Sequence, residues 1–150
     1  MRDDKWLNER LDNIWGLLFL DVERANKVYA RFKGRWKNKF GHIKMLKNKS
    51  SEIAVNNLFK NEVIPEYIVD VTLAHELVHY SHGFNSPLKR KYKHPHKGGI
   101  VNKELKKRGF EKLLKVERDF VKNKWYSLYK LLKLIIFYME NAYNFYTLNK

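Results

Sequence analysis

Apolar residues recur at steps of three and four from Leu7 through Leu11, Ile14, Trp15, Leu18, Val22, Ala25 and Tyr29 to Phe32. That spacing gathers them on one stripe and predicts a single long amphipathic helix over 3–32. Asp3 and Asp4 suit its positive start and Gly34 its end. The period then changes. Residues 40–46 and 52–56 are short β-type runs separated by Asn48-Lys49-Ser50-Ser51, which is turn chemistry. They predict a small antiparallel hairpin, with a third short strand near Trp36. Pro65 opens the next helix, with Glu66 favourable in its first turn and Gly83 as its stop. Ile68, Val71, Thr72, His75, His79 and His82 fall on one broad face of it. A basic loop rich in Pro and Gly follows over 84–99. Another helix is expected over about 100–116, with Gly109 as a weak point, and a last one over about 118–146 crowded with aromatic side chains. The pattern reads as α+β: one domain over 1–150, its core about 1–116 and an aromatic helical extension about 118–150. No internal repeat or linker interrupts it.

Composition adds bounds. With 44% apolar and 15% aromatic residues, 150 residues can bury a substantial core. There is no cysteine, which excludes disulfides and any Cys-ligated zinc ribbon, and fits a cytosolic protein. The first ten residues have no uninterrupted apolar run, so no signal peptide is expected. The most apolar run, residues 131–139, contains Lys133 and is too short to span a bilayer. The formal charge is +15, from 31 basic and 16 acidic residues. Such an excess attracts polyanions, nucleic acid first, although a coding bias towards lysine produces the same balance without a ligand.

The chemistry concentrates in His75-Glu76-Leu77-Val78-His79. Histidines four apart stack on one helix face, where both imidazoles can close on one ion. Zn²⁺ takes nitrogen ligands in a tetrahedral site. Glu76, beside the first histidine, can take a proton from water held there, which is the H-E-x-x-H arrangement of zinc peptidases. The bland alternative is two histidines and an acid on a buried helix. A catalytic zinc needs a third protein ligand and keeps one open position. His82 lies about 10 Å beyond His75 along the same helix, too far to share the ion. His42 has no partner at ligand spacing and reads as structural. The extended pattern with a third histidine six residues after the second fails, because Asn85 stands there. Glu104, His94 and His96 remain, and His96 is preferred because Gly98 and Gly99 permit tight backbone approach.

Residues 53–59, then 64–79 with a following glycine, and finally the segment from His96 to Gly109 resemble the SprT-like (Spartan-type) metallopeptidase domain. The resemblance covers about 1–115. It implies a zincin-like fold in which a small sheet precedes a Pro-started H-E-x-x-H helix and further helices follow. It also implies Zn²⁺ on His75, His79 and His96, with Glu76 as general base. The expected function is zinc-dependent endopeptidase action on protein or peptide substrates. Tyr92 and Lys97 are candidates to stabilise the oxyanion. Residues 84–115, with 11 basic and 2 acidic side chains, would dock DNA and deliver DNA-bound or crosslinked proteins, a cytoplasmic role at the nucleoid. No membrane partner is expected, and the oligomeric state is open. The competing reading is a catalytically inactive, basic, metal-stabilised module that binds nucleic acid or protein. The aromatic helix after Arg118 has no counterpart in the family pattern.

Overall fold

Asp3 accepts a hydrogen bond from the Trp6 backbone N–H at 2.8 Å and so caps the first helix, α1 (Asp4–Leu18). In the computed structural model, which describes residues 1–150, this helix stops far short of the expected residue 32. Phe19 closes it, and the chain turns to form β1 (Val28–Phe32). The misreading has a physical cause. Val28, Ala30 and Phe32 alternate with outward Tyr29 and Arg31, but Val22, Ala25, Tyr29 and Phe32 also satisfy helical spacing. Pairing with a strand distant in sequence decides between the two.

That partner is β3 (Ser51–Val55), antiparallel to β2 (Gly41–Met45) as the turn at 48–51 predicts. Lys49 takes a left-handed φ of 69° in the turn, and the Ser50 N–H donates to Asn48 Oδ1 at 3.0 Å. β1 lies parallel to β3 from Val28↔Ser51 to Phe32↔Val55, giving the order β1-β3-β2. The sheet is therefore mixed rather than antiparallel. There is no strand near Trp36, whose carbonyl instead accepts from Asn56 Nδ2 at 2.7 Å.

Val28, Ala30 and Phe32 of β1, Ile43 of β2 and Ile53 and Val55 of β3 are buried on one face, beneath α1 and α2 (Glu66–Ser81). Each of these side chains larger than alanine contributes about 1.5–3 kcal/mol on burial. Arg10 on α1 pairs bidentately with Asp70 on α2 through Nε and Nη2. Trp15 packs edge-on against Tyr80 at 5.2 Å, and the Tyr80 hydroxyl donates to Asn26 Oδ1 and accepts from the Ala25 N–H. The exposed margin of β1 is closed by side chains. Asn8 both donates to the Ala30 carbonyl and accepts from its N–H, at 2.8 Å each. Asp4 accepts from the Phe32 N–H, and Arg24 donates to the Val28 carbonyl.

The expected helix over 100–116 breaks at its glycine. α3 (Ile100–Lys107) and α4 (Glu111–Phe120) flank Gly109, whose φ is 95°, a value glycine adopts without strain. The chain divides into two compact units, Met1–Glu117 and Arg118–Lys150. In the second, a π-helical turn over Val121–Trp125 leads directly into α5 (Tyr126–Leu148). Trp125 stacks between Phe120 and Tyr129, at 6.5 and 5.7 Å.

Asn8→Ala should destabilise the fold by about 2 kcal/mol, because two partly buried backbone groups lose their partner. In urea this appears as a midpoint lowered by roughly 1 M at unchanged slope. An unchanged midpoint would show that the β1 margin does not need its side-chain cover.

Candidate metal centre

α2 is entered through Pro65, whose extended ψ of 143° turns the chain into the helix; its carbonyl accepts from the Ile68 N–H. Pro65 thus precedes the first helical residue rather than occupying it. Nearly every residue of α2 from Val71 onward is buried, so the motif sits on a rigid, enclosed helix. His75 and His79 stack one turn apart with ring centroids 4.8 Å apart and Nε2 atoms 3.1 Å apart. Two nitrogens on one tetrahedral zinc, each at ~2.0–2.1 Å, would stand roughly 3.3 Å apart. The pair already has that spacing.

The third ring arrives by a loop reversal. His82 closes α2, and Gly83 follows with φ 81°. A Cβ on Gly83 would stand 2.6 Å from the backbone of Lys89 and Arg90, so only glycine lets the returning loop pass there. The Lys91 N–H donates to the His82 carbonyl at 3.0 Å and fixes that crossing. The loop then carries His96 over the helix, 4.6 Å from the His79 ring and 5.7 Å from the His75 ring. Gly98 and Gly99, both at positive φ, turn it into α3, which packs on α2 through buried Val101 and Leu105. One donor atom from each of His75, His79 and His96 lies within 4.8 Å of the others, and together they could hold a metal ion. Tetrahedral closure asks the exposed His96 ring to swing inward by roughly 1.5 Å, which an exposed loop side chain can do.

The alternatives for the third position stand elsewhere. His94 borders a separate cavity with Tyr92, Lys93, Lys97 and Ile100. Glu104 is engaged by Arg108 at 3.1 Å. His82 is buried against the Tyr92 ring at 4.8 Å and is not part of the cluster. Tyr92 and Lys97 border that same separate cavity rather than the one lined by the three histidines.

Glu76 is buried, and β2 lies against it. A Cβ on Gly41 would approach the Ala54 carbonyl to 2.7 Å and Thr72 Cγ2 to 2.8 Å, so the missing side chain is what lets this strand close on α2. Burial pushes the Glu76 carboxyl up to about 8, opposed by the charge of Lys39 and by the Ile43 backbone N–H that donates to it. A cation among the neighbouring histidines would favour its charged form. Burial first, and then the nearby His96, lowers His75 to about 4; burial first, and then His75, His96 and His82, lowers His79 to about 3. Both imidazoles are therefore neutral at pH 7, the form a metal binds. His79 Nδ1 is buried without a protein hydrogen-bond partner, whereas the outer nitrogen of a metal-binding histidine usually has an acceptor. Its ring rests edge-on to Phe84 instead, at 6.3 Å.

Two cavities meet at these residues, of about 230 and 450 Å³, sharing Gly41, His75, Glu76 and His96. The first is bordered by Phe84, Asn85 and Pro95, the second by Asn38, Lys39 and Phe40. Asn56 holds the second rim by donating to the carbonyls of Trp36 and Lys39. His42 also lines the first cavity, and Lys39 is the lysine that lines the second. His42, which its spacing in the chain assigns to a structural role, and Lys39, which no spacing marks, are brought to the histidines by strand pairing. Compared with protein-family models, with curated proteins and with solved structures, the chain matches none.

His96→Ala should weaken metal binding by more than the roughly 10–100-fold that loss of an outer partner produces, while His94→Ala leaves it unchanged. Competition with a chromophoric chelator measures both. Equal loss in the two variants would remove His96 from the ligand set.

Proposed function

We propose that the chain is a zinc-dependent endopeptidase of SprT-like, zincin-like type. The observation that carries this reading is the convergence of three imidazoles from two separate segments beside a buried carboxylate and an edge strand. A Zn²⁺ ion held by His75, His79 and His96 would supply Lewis acidity and lower the pKa of its water from 15.7 towards ~7. Glu76 serves as general base, taking the proton released when water attacks the peptide carbonyl and returning it to the leaving amine. The Ile43 N–H orients that carboxylate. Neutral His75 and His79 keep the site free of competing protons at pH 7. Lys39, on the cavity wall, is better placed than Tyr92 or Lys97 to face a developing oxyanion.

The substrate is an extended protein segment lying along β2. Phe40 and Leu46 pair with the ends of β3, so the backbone groups of Gly41 and Ile43 turn away from the sheet; the Ile43 N–H meets Glu76, and the N–H and C=O of Gly41 and the C=O of Ile43 are left on the cavity side. Delivery by DNA extends the reading. Of the 11 basic residues in 84–115, Arg108 is spent on Asp21 and Glu104, and the other ten are exposed.

Glu76→Gln should lower cleavage of a casein or histone substrate by about 10²–10⁴-fold with zinc content unchanged. Turnover retained in that variant refutes Glu76 as the base. No turnover even in the zinc-loaded wild type leaves the metal-stabilised binding module. Duplex DNA binding through Z phosphates should weaken with salt at a log–log slope of about −0.9Z. A flat titration removes DNA from the proposal and leaves the peptidase.

A further inference from the structure

α5 is 23 residues long, and Leu132 is its one buried residue. At 100° per residue its polar side chains, Ser127, Lys130, Lys133, Glu140, Asn141, Asn144 and Thr147, gather on one side, leaving an apolar arc of roughly 200°. Leu132 and the part-buried Leu128, Tyr129 and Ile136 cover one side of that arc in its first turns, and the rest is open to solvent: Leu134 is 51% exposed, Tyr138 64%, Met139 63% and Tyr143 71%. Contiguous apolar surface of this extent on a folded chain marks an interaction site.

The shape and charge of the helix select the partner. A two-helix seam needs a narrow apolar stripe, with flanking charges of both signs to pair across it. Here the stripe is far wider than such a seam. Residues 118–150 carry six basic side chains against two acidic ones, and on α5 itself only Glu140 is acidic. A flat, anionic surface meets both conditions: it covers a broad arc at once, and its phosphates attract the lysines beside it. Tyrosine and phenylalanine, which fill the carboxyl-terminal half, favour the headgroup boundary, where an apolar ring and a polar edge are both satisfied. No helix is long and apolar enough to cross a membrane, so the helix would lie on the bilayer rather than through it.

We propose that α5 anchors the protein to the surface of anionic lipid bilayers, its apolar arc among the upper acyl segments and Lys130 and Lys133 at the headgroup phosphates. Hydropathy along the sequence excludes a span and suggests no membrane partner; the solvent exposure of the arc is what points to one.

The full chain, zinc-loaded, is sedimented with vesicles containing about one-third phosphatidylglycerol and with pure phosphatidylcholine vesicles. It should pellet with the first and largely stay in solution with the second. Each lysine near such a surface is worth about fivefold, so neutralising two in Lys130→Gln/Lys133→Gln should lower the partition coefficient roughly 25-fold. Ile135→Ser/Met139→Ser should lower it more than tenfold through lost apolar burial. Both pairs are exposed, and unchanged zinc content and melting midpoint show that the variants fold. Failure to pellet with the anionic vesicles overturns the proposal, as does pelleting that neither variant weakens. If the chain stays in solution as a two-chain particle and Ile135→Ser/Met139→Ser returns it to 18.2 kDa, the arc belongs to a second copy and the lipid proposal falls.

Discussion

The site depends on how closely an edge strand can approach a buried helix. At Gly41 the gap between β2 and α2 admits no side chain, because Thr72 and the Ala54 carbonyl already fill it. That contact brings the Ile43 amide to the Glu76 carboxyl and walls the motif off from bulk water. Without it Glu76 would be an ordinary solvated acid, and the histidines would ride on an open helix face.

A second close approach completes the arrangement. At Gly83 the returning loop runs backbone against backbone, which shortens the route from the end of α2 to His96. Both contacts place glycine where a methyl group would collide, Gly41 against Thr72 and the Ala54 carbonyl and Gly83 against the backbone of Lys89 and Arg90. The energetics are consistent with this division of labour. Apolar burial in α1, α2 and the inner sheet face stabilises the fold, while near the motif the Nδ1 atoms of His42, His79 and His82 are buried without a protein partner.

Legibility in the sequence followed the range of the interactions involved. His75, Glu76 and His79 could be read because helix geometry alone sets their relation. His96 could be preferred over His94 because the neighbouring glycines act within a few residues. The α+β class and the 48–51 turn were readable for the same reason. β1 was hidden, because its alternation over Val28, Ala30 and Phe32 coincides with helical spacing and only the parallel partner β3 settles it. Lys39 and His42 were invisible as neighbours of the histidines, since pairing of β2 with β3 and the grip of Asn56 bring them there.

The sheet has two margins of different character. Asn8, Asp4 and Arg24 occupy the hydrogen-bonding groups on the outer side of β1, so no further strand can add there. The opposite margin borders the histidines. Growth of this sheet by an incoming extended chain, whether guest peptide or misfolded neighbour, is thereby confined to one direction. The same sealing that guards the domain against edge-to-edge aggregation leaves the side of the histidine cluster as the one at which a visiting strand would meet the sheet.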